Sequence, residues 1–338
     1  MSLRITNDAE LRRLNSFGVR ARAKTLIELD DVNDAAHALE LLRGAPSGLI
    51  LGGGSNLLIT GDIDGTVLRI ALRGLRAQDT GHDHVIVEAA AGEPWPELVQ
   101  WCLDQQLYGL ENLSLIPGLA GAAPVQNIGA YGIELAQRID TVKALNIETG
   151  RLQEFSRTDC EFGYRDSLFK RQSGRWLIVS IRMKLSRNAQ PCLRYPSLAE
   201  ALRTQARPTA EQVAQAVCAL RRQRLPDPAV LGNAGSFFKN PLVDAITAAK
   251  LRAQHPDMPQ FSNGDQGVKL AAAWLIEHCG WKGHREGDAG VHDQHALVLV
   301  NYGHASGAQL LDLARRIQTS VRERFAIELE PEPVIIGS

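Results

Sequence analysis

Apolar positions fall into short runs in the first half of the chain and into helical stripes in the second. From Thr25 to Leu29 and from Ser47 to Thr60, short apolar runs are broken by turn residues, and Ala35 to Arg43 between them has helical spacing. This order predicts an opening β-α-β unit. His84 to Gly92 alternates as a strand does, Pro94 stands where a first helical turn begins, and Leu98, Trp101 and Cys102 then share one face. Further strand-like pieces lie around Val142 to Ile147 and Trp176 to Leu185. Between Gly109 and Gly132 the chain is rich in glycine, alanine and proline and follows neither period. It is too apolar for a disordered linker, so it reads as an ordered functional loop.

A stretch rich in Arg, Pro and Gln, Arg187 to Arg207, predicts a domain boundary. Beyond it, Ala210 to Arg224 sets Val213, Val217 and Leu220 on one helical face and is stopped by Pro226 and Pro228. Lys269 to His278 reads as a helix closed by Gly280, and His295 to Asn301 as a strand. From Ser306 to Phe325 a helix is predicted with Ser306 and Gln309 spaced as a capping box and Leu310, Ala314, Ile317 and Val321 on the buried stripe. No internal repeat or low-complexity tract is present.

Length changes this picture only by dividing it: 338 residues suggest two or three domains, enough to bury a large cofactor. With 37 basic against 38 acidic residues, the formal net charge of -1 shows no pattern for nucleic acid or a membrane surface. Met1 to Asn15 lacks the basic and apolar regions of a secretory signal and no stretch reaches membrane-spanning length, so a cytoplasmic protein is expected. Cys102, Cys160, Cys192, Cys218 and Cys279 are odd in number and widely spaced, which argues against a disulfide framework and a thiolate zinc site. The spacings His82-x-His84 and His292-x-x-His295 have no carboxylate in ligand spacing on a helix, and no metal is expected.

Two segments carry candidate chemistry. Gly52, Gly53, Gly54, Ser55 and Asn56 follow an apolar strand, so the backbone can approach a ligand closely and successive N–H groups can cradle a phosphate. By itself such a run is more often a tight turn. Leu57 occupies the place of a third spaced glycine and no Gly-Lys-Ser/Thr follows, which disfavours the Rossmann fingerprint and the P-loop. The second segment runs from Ile116 to Gly132 and holds Pro117, Gly118, Gly129, Ala130, Tyr131 and Gly132 around the amide pair Gln126 and Asn127. Small residues leave room for a flat ring, and side-chain amides can read the polar edge of an isoalloxazine.

These two segments, followed by Gly163-Tyr-Arg-Asp-Ser-Leu-Phe-Lys170, Gly232-Asn-Ala-Gly-Ser-Phe-Phe-Lys-Asn-Pro241 and Leu329-Glu-Pro-Glu332, resemble the UDP-N-acetylenolpyruvoylglucosamine reductase (MurB) family. The motifs occur in the family's order and span nearly the whole chain. The resemblance implies an α+β protein: a two-subdomain FAD-binding fold of the vanillyl-alcohol oxidase/PCMH type plus a C-terminal α+β substrate-binding domain. The implied division is residues 1–70 plus 326–338, residues 71–208 and residues 209–325. It also implies non-covalent FAD, NADPH as reductant, UDP-N-acetylglucosamine enolpyruvate as substrate and a monomer. The family's reaction makes UDP-N-acetylmuramate for peptidoglycan.

Hydride addition to the substrate's methylene carbon leaves negative charge on the neighbouring carbon and carboxylate, so such a site needs a charge stabiliser and a proton donor. The resemblance assigns these roles to Arg165 as carboxylate and enolate stabiliser, Ser236 as proton donor and Glu332 as the assisting acid. Tyr164 beside Arg165 and Asn240 in the serine motif are implied substrate contacts, and Tyr195 matches the mobile-loop tyrosine of one subclass. Arg224 stands where many relatives carry lysine and His295 where many carry glutamine, and both are further substrate candidates. Two alternatives stay open: an FAD-dependent oxidase of the same fold, and a non-catalytic flavin or nucleotide-sugar binder. Many such oxidases attach flavin through histidine, and Gly109 to Gly132 contains none.

Overall fold

The opening unit forms as the apolar pattern predicts. Strand Arg22–Leu29, helix Ala35–Arg43 and strand Gly48–Leu51 follow one another, and the helix buries Ala35, Ala38, Leu39 and Leu42 at helical spacing. The strand Ile63–Ile70 enters between the two strands and pairs with both in parallel, in the order Arg4–Glu10, Arg22–Leu29, Ile63–Ile70, Gly48–Leu51. Parallel neighbours require a crossover, which the helix supplies. In the computed structural model, residues 3–81, 83–262 and 267–337 are described, and His82 of the first histidine pair lies outside them.

The chain divides into two compact units. The first comprises residues 1–9, 23–53 and 63–223, the second residues 10–22, 54–62 and 224–338. The change of unit in this part of the chain comes after residue 223. Helix Ala210–Arg224 packs with what precedes it: Ala210 and Ala214 join the main core of the first unit, while Val213 and Val217 cover Leu198 and Leu202. Most of residues 187–207 are exposed to solvent.

A second sheet in the first unit is antiparallel, ordered Leu152–Ser156, Ile139–Asn146, Trp176–Ser186, His84–Ala90, Leu75–Asp79. Val85, Val87 and Ala89 are fully buried on one face, as the alternation predicts. Helix Trp95–Asp104 follows, with Pro94 as its N-cap and Leu98 and Cys102 buried, while Trp101 is only half-buried.

The second unit holds an antiparallel sheet ordered Gly232–Ser236, Val298–Asn301, Ala289–Val291, Arg285–Glu286. Helix Gly307–Phe325 carries the predicted capping box from Ser306 and Gln309 and fully buries Leu310, Ala314, Ile317 and Val321. Strand Val334–Ile336 returns to pair in parallel with Leu57–Ile59. Two expectations are corrected here. Lys269 and Leu270 are strand, paired with Leu242 and Gln260, and the helix begins at Ala272, because main-chain pairing captures them first. The strand expected from His295 begins at Val298, because His292 N–H to Val298 C=O and Val298 N–H to His295 C=O close a turn.

All five cysteines are free thiols, and burial pushes those of Cys102 and Cys160 up to about 12. Among the described residues, no helix is long and apolar enough to cross a membrane.

Ile317→Ala opens a cavity in the helix stripe and is expected to cost about 2–5 kcal/mol, against about 1 kcal/mol for loss of the cap in Ser306→Ala. Guanidinium unfolding should rank the two variants in that order, and equal midpoints would show that the stripe does not carry the packing.

Candidate active site

The glycine motif straddles the division, with Gly52 and Gly53 in the first unit and Gly54, Ser55 and Asn56 in the second. In the first unit, a Cβ at Gly53 would lie 3.0 Å from the Gly118 Cα, so the two glycine-rich loops meet backbone to backbone. The longer loop is sewn to the end of strand His84–Ala90: Gly121 N–H donates to the Ala91 carbonyl at 2.9 Å and Ala120 N–H to Glu93 at 2.8 Å, while Trp95 N–H donates to Gly118 at 2.9 Å. Beside it lies a cavity of about 110 Å³ walled by Ile50, Gly52, Ile70, Gly121, Ala122 and Ile178 among others, with Trp176 at its rim. Ligand pockets usually measure about 300–1,000 Å³, so this one has room for only part of a dinucleotide. The glycine cradle and the aliphatic slot both fit FAD.

The loop is held open by a buried amide. Asn127, in the left-handed region at φ 45, donates from Nδ2 to the Glu134 carboxylate and the Gly163 carbonyl at 3.0 Å each and accepts from Ala136 N–H at 2.9 Å. Asn112 performs the same task further on, its Nδ2 donating to the carbonyls of Tyr131 and Cys192 at 2.8 Å each. Tyr131 then meets Tyr195 edge to face at 5.1 Å.

Arg165 sits on a tight turn in which Gly163 N–H donates to Asp166 C=O at 2.9 Å. Its φ of 54 is the left-handed conformation that glycine usually takes at such a place, and its guanidinium donates to the Gly129 carbonyl at 3.0 Å. Ser167 ties the turn down by donating to Val125 C=O at 2.6 Å. The Arg171 guanidinium pairs with Asp166 and Glu161 from outside. Strain of this kind persists where surrounding contacts over-determine it, which is common at functional sites.

In the second unit, Ser236 ends a strand interrupted by a bulge between Asn233 and its own pairing with Val298. Buried Asn233 shapes the bulge: its Nδ2 donates to Pro226 and Leu231, and its Oδ1 accepts from Gly235 N–H at 2.9 Å. Phe237 and Phe238, fully buried, anchor the next two residues, with Phe17 against Phe237. Along them runs the segment 330–332: Lys239 N–H donates to Glu330 C=O at 3.0 Å, and Glu332 N–H to Phe237 C=O at 2.8 Å. Glu332 thus stands beside the serine. Asn56 holds it from the other side, donating to its carbonyl at 3.3 Å and accepting from Val334 N–H at 3.0 Å.

With both clusters placed, likeness to known proteins can be set against them. Residues 227–336 match the model of the UDP-N-acetylenolpyruvoylglucosamine reductase C-terminal domain, and residues 23–156 match that of an FAD binding domain. A UDP-N-acetylenolpyruvoylglucosamine reductase from Pseudomonas aeruginosa is 53% identical over 337 residues, covering 98% of this chain and 99% of the relative. The chain belongs to the MurB family. A relative of the same name from Chromobacterium violaceum is 51% identical over 342 residues, 99% of this chain and 100% of its own. The crystal structure of UDP-N-acetylenolpyruvylglucosamine reductase (MurB) from Thermus caldophilus has the same fold, with a TM-score of 0.69 at 24% identity over 100% of both chains.

Set against the MurB motifs, two amides have partners within the protein. The Asn127 side chain is 1% exposed and makes three bonds to protein, so it clamps the loop. Asn240 accepts through Oδ1 from Ala272 N–H at 3.0 Å and so secures the start of a helix. Arg224 is exposed, and its charge acts on half-buried His295, whose pKa is lowered first by burial and then by Arg224 and His292. Tyr164 lies under the Arg165 guanidinium at 5.5 Å. Pro117, Gln126 and Ala130 line the same loop, half-buried or exposed. No cluster of three or more metal-ligating side chains occurs among the described residues. Asn112 and Asn233 went unrecognised as supports, although both stand inside or just before quoted motifs; a buried Asn among small residues was the available signal.

Asn127→Ala leaves the Gly163 carbonyl and Ala136 N–H without partners, a loss on the order of 3 kcal/mol. The purified variant should melt lower and carry less FAD, and unchanged flavin content would refute the clamp. For His295 the folded pKa lies below the unfolded value of 6.5, so the unfolded chain takes up the proton first. Stability is therefore lost as pH falls below about 6.5 until the folded group also titrates. Denaturant titrations at stepped pH should show this slope flattened in His295→Gln.

Proposed function

We propose that this MurB-family chain reduces UDP-N-acetylglucosamine enolpyruvate to UDP-N-acetylmuramate with NADPH, through non-covalently bound FAD, in the cytoplasm and as a monomer. The observation that supports the reading is the Glu332 N–H bond to the Phe237 carbonyl, which brings the Glu332 backbone to the buried residue that follows Ser236. When bound, reduced FAD supplies the hydride for the enolpyruvyl methylene carbon. Ser236 then gives its hydroxyl proton to the neighbouring carbon. A bare hydroxyl is a weak acid, and the basicity of the enolate itself makes the transfer feasible, with Glu332 assigned to assist the same half-reaction. Arg165 binds the planar carboxylate through its fixed fork of donors, which lysine cannot match.

FAD is assigned to Gly52, Gly53, Gly54, Ser55, Asn56 and the loop 117–132, through backbone groups and the small-residue wall. Tyr164, Tyr195, Arg224 and His295 are assigned to the sugar nucleotide, with Tyr195 as the covering tyrosine of a mobile-loop subclass. Its 40% exposure and its contact with Tyr131 support that assignment. Residues 1–70 with 326–338 and residues 71–208 are proposed as the two FAD subdomains, and 209–325 as the substrate domain. Pairing of Val334–Ile336 with Leu57–Ile59 supports counting the C-terminal segment with the first.

Ser236→Ala is expected to leave flavin reduction by NADPH within a few-fold of wild type and to slow substrate reduction by about 10²-fold or more. Stopped-flow traces of the two half-reactions check this. Equal loss in both would remove the serine from the proton-donor role, and a protein that never binds FAD would end the reading altogether.

A further inference from the structure

Asn233 is 3% exposed, and no step described so far uses its side chain. Its partners all lie within the second unit. In the strand that carries the serine, Asn233 stands opposite Val300 and Ser236 opposite Val298, so Ala234 and Gly235 together face the single residue Leu299. Side chains alternate along a strand, and in an unbroken ladder Gly235 would take the place opposite Val298 while Ser236 projected from the other face. The extra residue turns the serine over. Pairing resumes directly after it, because Phe237 N–H donates to the Leu297 carbonyl at 2.7 Å.

Packing around Gly235 does not hold this bulge: the residue is left-handed at φ 71, and a Cβ built on it would meet no atom within 4 Å. The Asn233 amide holds it instead. Its Oδ1 accepts from Gly235 N–H at 2.9 Å, which closes an Asx turn over the extra residue. Its Nδ2 is fixed in turn by the carbonyls of Pro226 at 3.1 Å and Leu231 at 2.8 Å, and its backbone N–H donates to Ser16 C=O at 3.0 Å. With both ends of the amide bonded, the side chain has one orientation, and the turn it closes has one as well.

We propose that Asn233 is the positioning residue for Ser236, holding the extra residue that turns the serine hydroxyl to the face on which it gives up its proton. Asn233 acts through the serine and touches no reacting atom. The proposal deepens the enolpyruvyl reductase reading and rests on it for the proton transfer.

A double-mutant cycle on the full-length holoenzyme tests it. Asn233→Ala should leave flavin reduction by NADPH within a few-fold of wild type and slow reoxidation of the flavin by the enolpyruvyl substrate roughly 10- to 100-fold. Added to Ser236→Ala, the same substitution should slow reoxidation by less than about 3-fold more, because the donor it serves is already gone. Equal loss in both half-reactions, or losses that multiply in the double variant, would mean a merely structural role and overturn the proposal. Should Asn233→Ala fail to accumulate as a flavoprotein, Asn233→Asp decides, since it keeps the acceptor for Gly235 N–H: reoxidation within a few-fold of wild type supports the proposal, and a loss as deep as that of Ser236→Ala refutes it. If the wild-type enzyme does not turn over the enolpyruvyl substrate, the functional reading fails separately. Amide hydrogen exchange then tests the clamp itself, with faster exchange at Gly235 and Phe237 in the variant as the supporting result and unchanged exchange as the refuting one.

Discussion

The bond from Glu332 N–H to the Phe237 carbonyl is the constraint on which the second unit's chemistry turns. It joins a segment near the end of the chain to a strand about a hundred residues earlier, and its neighbours make it unavoidable. Phe237 and Phe238 are at most 1% exposed, so the residues around them cannot shift without opening a cavity. Strand Val334–Ile336 is held by Leu57–Ile59, and Asn56 grips the Glu332 backbone between these two anchors. The acid is therefore positioned by main chain on both sides.

Main chain governs the first unit in a different way. There the loops approach one another so closely that a Cβ at Gly53 would lie 3.0 Å from the Gly118 Cα. Leu115, Asn127, Tyr131 and Arg165 all adopt left-handed conformations without being glycine. Buried amides hold this strained arrangement: Asn112 fastens the Tyr131 peptide and Asn127 fastens Gly163, next to the Arg165 turn. Asparagine suits the task because one short side chain offers two donors and an acceptor. A glycine-rich loop alone would be free to collapse, and the amides make its shape definite.

Legibility in the sequence followed the range of the interaction responsible. Helices Ala35–Arg43, Ala210–Arg224 and Gly307–Phe325 could be read because their stripes, caps and stops are local. Lys269 was misread because a three-residue strand holds its shape through partners far along the chain, Leu242 and Phe261, which no local period records. Composition in 187–207 reports solvent contact and not which core a following helix joins, and only the packing of Val213 and Val217 on Leu198 and Leu202 records the latter.

Motifs in the sequence by themselves determined the family, the reacting residue types and the glycine positions, because glycine, arginine, serine and glutamate each carry chemistry that survives without knowledge of their neighbours. Tertiary structure alone decided who serves whom. It gave the side chains of Asn127 and Asn240 their protein partners, tied the Glu332 backbone to Phe237, and bonded Arg221 to the Leu115 carbonyl. Those outcomes depend on which donors and acceptors remain after folding, and that balance exists only once segments distant in sequence have met.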